Sequence, residues 1–169
     1  MQNIFSDNQE SNPCPVCQMT EVKQNLWRSY RGLQFWFCSQ QCLDRFISHP
    51  GLYVGSPKTG LPEKKRGRVE HKSHRIVFSK SLSDDEAEKL MADLPKMMGI
   101  KSLNVSATEL LVMYDLMEVS LEDIESQISL SLGGFDSSLI DRVKRSWIHY
   151  TEECELDNLA HPSTTRGCH

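Results

Sequence analysis

Four cysteines in two close pairs carry the clearest chemical signal in the chain. Cys14-Pro15-Val16-Cys17 and Cys38-Ser39-Gln40-Gln41-Cys42 stand twenty residues apart and bracket an aromatic segment. Two or three intervening residues let both sulfurs of a pair face inward from a tight turn or a helix start. Four such thiolates complete the tetrahedron that Zn²⁺ adopts in closed structural sites. Cys14, Cys17, Cys38 and Cys42 are therefore read as ligands of one metal ion rather than as four buried thiols. A closed tetrahedron leaves no open coordination position, which argues for a retained ion.

The elements around these cysteines must bring the pairs together. Leu26 to Phe37 is rich in aromatic residues and broken by Arg31-Gly32, a pattern that predicts a β-hairpin delivering Cys38. Ser39 suits the N-cap of a short helix to about Ser48, with Leu43, Phe46 and Ile47 as its apolar face, and His49-Pro50-Gly51 ends it. The second pair then sits at a helix N-terminus, where the macrodipole favours thiolates. A lobe of roughly 45 residues usually needs a metal or disulfides to hold a fold. Structural Zn²⁺ supplies about 10–16 kcal/mol of apparent binding energy, so this lobe is expected to fold only with its ion.

Cys14-Pro15-Val16-Cys17-Gln18-Met19, Tyr30-Arg31-Gly32, Phe35-Trp36-Phe37-Cys38-Ser39-Gln40-Gln41-Cys42, Phe46, Pro50 and Tyr53 resemble the YHS family. That family overlaps the TRASH domain, associated with trafficking, resistance and sensing of heavy metals. The resemblance covers residues 13–54 and implies a treble-clef-like zinc fold. It also implies an exchangeable or sensed ion, against the closed-site argument for a retained one. Gln18 stands where the family usually has glycine.

Residues 55–73 hold Gly55, Pro57, Gly60, Pro62 and the run Glu63-Lys64-Lys65-Arg66-Gly67-Arg68, without apolar periodicity. They read as a basic linker, a solvated spacer in preference to a nucleic-acid contact. Beyond it the pattern predicts a strand at Arg75–Phe78, a helix from Ser83 to Met98 with Ala87, Leu90, Met91 and Leu94 on one face, and strands at Ser102–Val105 and Leu110–Tyr114. Ser120 caps a further helix carrying Leu121, Ile124, Ile128 and Leu132, closed by Gly133-Gly134. This order begins a ferredoxin-like split βαβ unit, which a fourth strand near Phe135 would complete.

Leu90, Leu94, Gly99-Ile100, Val105, Val112-Met113-Tyr114-Asp115, Val119-Ser120, Ile124 and Gly134-Phe135 resemble the heavy-metal-associated domain of copper chaperones and metal-pumping ATPases, over residues 74–136. The positions where that family carries its two cysteines hold Ser83 and Glu86, and its loop methionine falls at Ser81. Ser83-Asp84-Asp85-Glu86 reads instead as a capping box, which accounts for all four residues better than a pair of oxygen ligands for Mg²⁺ or Ca²⁺ does. No soft-metal site is expected there.

From Ser138, the spacing of Leu139, Val143, Trp147 and Tyr150 predicts a C-terminal helix over 137–156, followed by a tail over 157–169 with little to bury. Cys154, Cys168 and His169, with His149, His161, His71 and His74, form an irregular set that would make a second soft-metal site only if the fold gathered it. Cys154 is read first as a helix-face residue. Met91, Met97, Met98, Met113 and Met117 are read as gap-filling side chains, Met91 and Met113 on core faces, rather than as copper ligands.

The net charge of −4 conceals an asymmetry: residues 1–75 carry eleven Lys and Arg against six Asp and Glu, the remainder eight against seventeen. Residues 1–12 are polar and read as a flexible N-terminus with neither the basic start nor the apolar core of a signal peptide. No run is long enough for a membrane span, so a cytoplasmic protein is expected, a compartment that suits metal thiolates over disulfides. A phosphate-binding glycine loop, a nucleophile elbow and a His-Glu-x-x-His helix are all missing, which points away from an enzyme. The expected fold is α+β, a small treble-clef-like zinc domain followed by a ferredoxin-like βαββαβ domain and an extra C-terminal helix. The expected function is metal binding, Zn²⁺ or a soft ion such as Cu⁺, in heavy-metal trafficking, sensing or detoxification. The competing readings are an interaction adaptor with a purely structural zinc, docking a protein partner through its acidic half, and a nucleic-acid-binding regulator, ranked last.

Overall fold

The hairpin forms where its turn residues permit it. In the computed structural model, which describes residues 12–55, 60–133 and 142–160, β1 (Lys23–Tyr30) pairs antiparallel with β2 (Leu33–Phe37), Tyr30 lying opposite Leu33. The two connecting residues, Arg31 and Gly32, both take positive φ, 51° and 78°. That is the type I′ geometry whose twist matches the strands it joins. α1 (Gln40–Ser48) follows, its N-cap Ser39 accepting from the Cys42 backbone N–H at 3.3 Å. Phe46 on α1 is the hub of the first lobe. The rings of Phe35 and Phe37 lie 5.1 Å from it and those of Tyr30 and Tyr53 6.0 and 6.1 Å.

The second sheet holds β3 (His71–Val77), β4 (Ile100–Val105) and β5 (Glu109–Asp115) in the order β3-β5-β4, antiparallel throughout. β5 alternates: Leu110, Val112 and Tyr114 are buried, Leu111 and Met113 exposed. Leu110 and Val112 lie opposite Ile76 and His74 on β3 and Val105 and Leu103 on β4, and Tyr114 lies opposite Lys72 and Ile100, making one largely apolar face. α2 (Asp84–Asp93) and α3 (Leu121–Ser131) cover it with Leu90, Ile124 and Ile128. Both helices start at a complete capping box, Ser83 with Glu86 and Ser120 with Asp123. Among the described residues the chain is thus mixed α+β, with two small antiparallel sheets and four helices.

α4 (Arg142–Ala160) extends four residues past the expected helix end, because Leu156, Leu159 and Ala160 are packed rather than trailing in solvent. Its buried face runs through Glu152, Leu156 and Ala160, with Ile148 packed against the core, whereas Tyr150 is half exposed. A glutamate in the middle of the stripe is why apolar periodicity chose a different face. Glu152 is buried because it accepts from the Tyr114 hydroxyl and from the Leu121 backbone N–H. Burial, and then the neighbouring Glu152, push the Tyr114 hydroxyl above the usual tyrosine range.

Other expectations also change. Ile47 is 47% exposed, and Arg45 takes its place against the core by donating to the Leu116 carbonyl of the second lobe. Met91 and Met113 are solvent-facing, not core residues. The helix expected to reach Met98 stops at Asp93, where Pro95 turns Leu94–Lys96 into a 3₁₀ segment. The stretch read as a solvated spacer is docked at Lys64, which is 7% exposed and bonded to Asp115 and Glu118 at 3.3 and 2.6 Å. The fourth strand near Phe135, the N-terminal segment and the C-terminal tail beyond Ala160 lie outside the described residues.

Candidate metal centre

A closed turn presents the first cysteine pair. The Cys14 backbone N–H donates to the Met19 carbonyl and the Gln18 N–H to the Cys14 carbonyl, both at 2.8 Å. Gln18 takes φ +65°, the left-handed conformation a glycine would adopt without strain. The hairpin and the α1 cap bring the second pair to the same point. Cys17 Sγ lies 3.4 Å from Cys38 Sγ, and Cys38 Sγ lies 3.6 Å from Cys42 Sγ. All four sulfurs fall within 4.8 Å of one another.

Those distances test the fit. Four ligands at a Zn–S distance of about 2.3 Å stand about 3.8 Å apart along the edges of a tetrahedron; the 3.4 and 3.6 Å spacings fall a little below that edge and the other pairs stay within 4.8 Å, a cluster of the size one shared ion needs. A disulfide requires about 2.05 Å, and all four thiols are free. Cys14 and Cys42 are fully buried while Cys17 and Cys38 are partly exposed, so one edge of the cluster faces solvent.

The electrostatics favour a cation at this point. Four sulfurs this close cannot each carry a full negative charge without a counter-ion. Hydrogen bonds from Cys17 and then Cys42 hold the Cys14 thiol far below the ordinary thiol range. The same contacts work the other way on the donors: Cys17 is pushed up to about 12, chiefly by its bond to Cys14, and Cys42 is raised chiefly for the same reason. A bound divalent ion replaces the shared protons, so its uptake releases them.

The centre is also tied to the second lobe. The Gln41 carboxamide donates to the Met98 carbonyl at 2.9 Å and accepts from the Met98 N–H at 3.0 Å. The Tyr53 hydroxyl donates to the Met117 carbonyl at 2.7 Å. Neither Gln41 nor Met98 is distinguished by spacing, because their contact spans 57 residues and belongs to the assembled fold. Among the described residues, the remaining histidine and cysteine candidates do not gather at the sulfurs. His74 lies 3.7 Å from Glu152 and His149 3.3 Å from Glu125, while Cys154 sits half-buried on α4. Among the described residues no other group of three or more His, Cys, Asp or Glu ligand atoms converges as the four cysteines do. Cys168, His169 and His161 lie outside them, and no described helix is long and apolar enough to cross a membrane.

Compared with family models, with curated proteins and with solved structures, the chain matches none.

Proposed function

We propose that this chain is a non-enzymatic metal-binding protein that holds one Zn²⁺, or a soft ion such as Cu⁺ in its place, on Cys14, Cys17, Cys38 and Cys42. The observation that carries the reading is the convergence of four free sulfurs, from a turn and a helix N-terminus, to within 4.8 Å. The ion would neutralise the crowded thiolates and clamp the turn to the hairpin and α1. Within this reading the first lobe is YHS-like and treble-clef-like. The second is a ferredoxin-like relative of the heavy-metal-associated domain, a view supported by the element order β3-α2-β4-β5-α3 and the strand order β3-β5-β4. A role in heavy-metal trafficking, sensing or detoxification in the cytoplasm follows from those likenesses, and a reducing compartment keeps such thiolates available.

The adaptor reading, in which zinc is a permanent staple, is favoured by the complete burial of Cys14 and Cys42 and by the contacts that weld the centre to the second lobe. Exchange kinetics decide between the two. A chelator of moderate affinity removes a cargo ion within minutes and leaves a staple in place. Elemental analysis of wild type and Cys38→Ser tests the reading itself: one ion per chain in wild type and a marked loss in the variant support it, and equal metal content in both sinks it.

A further inference from the structure

Met98 brings a fifth sulfur to the centre. Its Sδ lies 3.8 Å from Cys42 Sγ, the length of a tetrahedral edge in a metal–sulfur site, about 3.8 Å. An ion about 2.3 Å from each of these two sulfurs would subtend an angle near ~110° between them. The spacing is held from both sides. Gln41, the residue before Cys42 on α1, grips the Met98 backbone through both its carboxamide atoms. Gly99, the next residue, takes φ +92° and its carbonyl accepts from the Asp115 N–H at 2.8 Å; a Cβ there would fall 2.7 Å from Val119 Cγ1. The loop carrying Met98 is thereby fixed against the helix carrying Cys42.

A Zn²⁺ ion surrounded by four thiolates has no call on a thioether. A soft monovalent ion does, because thiolate and thioether sulfur together select Cu⁺, and the uncharged Met sulfur adds a bond without adding repulsion. We propose that Cys42 and Met98 form a soft-metal subsite, in which Met98 Sδ joins Cys42 as a ligand when the cysteine cluster holds Cu⁺, a proposal that rests on the reading of that cluster as a metal centre. The step is ligand exchange. The Met98 Sδ lone pair bonds to the ion as the bond to one of the other cysteines breaks, Cys42 stays bound throughout, and no electron changes hands.

The test uses the full, reduced chain under anaerobic conditions, with Cu⁺ titrated against a competing chromophoric chelator. Met98→Leu keeps the volume and removes the sulfur, and it should weaken Cu⁺ binding about tenfold while Zn²⁺ stoichiometry is unchanged. Met97→Leu, one residue away, should behave as wild type. Equal Cu⁺ affinity in Met98→Leu and wild type overturns the subsite. Should Met98→Leu disturb the fold, ¹³C-methyl NMR of wild type decides: the Met98 methyl resonance shifts on adding Cu⁺ and not on adding Zn²⁺, and a resonance unmoved with Cu⁺ bound overturns the proposal. Wild type that binds Zn²⁺ but not Cu⁺ refutes this subsite alone, whereas wild type that binds neither refutes the cysteine centre as well.

Discussion

Lys64 and Asp115, fifty-one residues apart, are joined by a buried salt bridge of 3.3 Å, with Glu118 a second partner of the same ammonium at 2.6 Å. Asp115 also accepts from the backbone N–H groups of Glu70 and Met117, so its charge is tightly engaged. The basic run between the lobes is thus in part a docking element.

Removing one partner of a buried pair leaves the other charge uncompensated, at a cost of about 3–5 kcal/mol. Lys64→Met should therefore lower unfolding free energy by about 3 kcal/mol, while Lys65→Met, on an exposed neighbour, should change it by less than about 0.5 kcal/mol. Urea denaturation of the metal-loaded protein measures both. Equal, small effects would restore the picture of a solvated spacer.

Gln18 occupies left-handed backbone at φ +65° immediately after Cys17. A residue with a Cβ is strained there by roughly 1–2 kcal/mol, partly offset by the greater chain entropy of glycine when unfolded. Gln18→Gly should accordingly stabilise the protein by about 0.5–1 kcal/mol and leave metal stoichiometry intact. A destabilised Gln18→Gly would show that the side chain is needed in the turn.

The Ser83 hydroxyl accepts from the Glu86 N–H, and Glu86 accepts from the Ser83 N–H at 2.8 Å. Those bonds, from the Ser83 backbone first and its hydroxyl next, hold the Glu86 carboxyl below its ordinary range. Ser83→Ala should cost about 1 kcal/mol through loss of the cap with no change in bound metal. A fall in metal content would instead assign the box to an ion.

His74 supplies a pH dependence. Burial, more than any neighbour, lowers its pKa, with Glu152 and Glu125 pulling upward and Lys72 and His149 downward. Its folded pKa therefore lies below the unfolded value of about 6.5. Between the two the unfolded chain binds a proton that the folded chain refuses, so stability is full above about pH 6.5 and declines as pH falls toward the folded pKa. His74→Gln should flatten that decline in denaturation curves taken from pH 7 to 5. An unchanged slope would assign the decline to other groups.

Local chemistry was legible from the chain; distant chemistry was not. The cysteine spacing, the Arg31-Gly32 turn, the Ser39 and Ser120 caps and the Ser83–Glu86 capping box each depend on residues a few positions apart, and each is present in the fold. Binary patterning assigns charged residues to solvent, so it puts Lys64 in a spacer and does not single out Arg45 or Glu152, whereas each is buried against a partner from a distant element. The Met98 contact escaped for the same reason: methionine on a loop resembles filler until the fold sets it beside Cys42.

The most direct measurement is zinc K-edge X-ray absorption on the purified protein. One ion with four sulfur neighbours at about 2.3 Å is the expected result, with sulfur coordination reduced in Cys38→Ser. A spectrum of oxygen and nitrogen neighbours, or a well-folded hairpin in metal-free protein whose four thiols remain free to react, would contradict the assignment of Cys14, Cys17, Cys38 and Cys42 to a single ion.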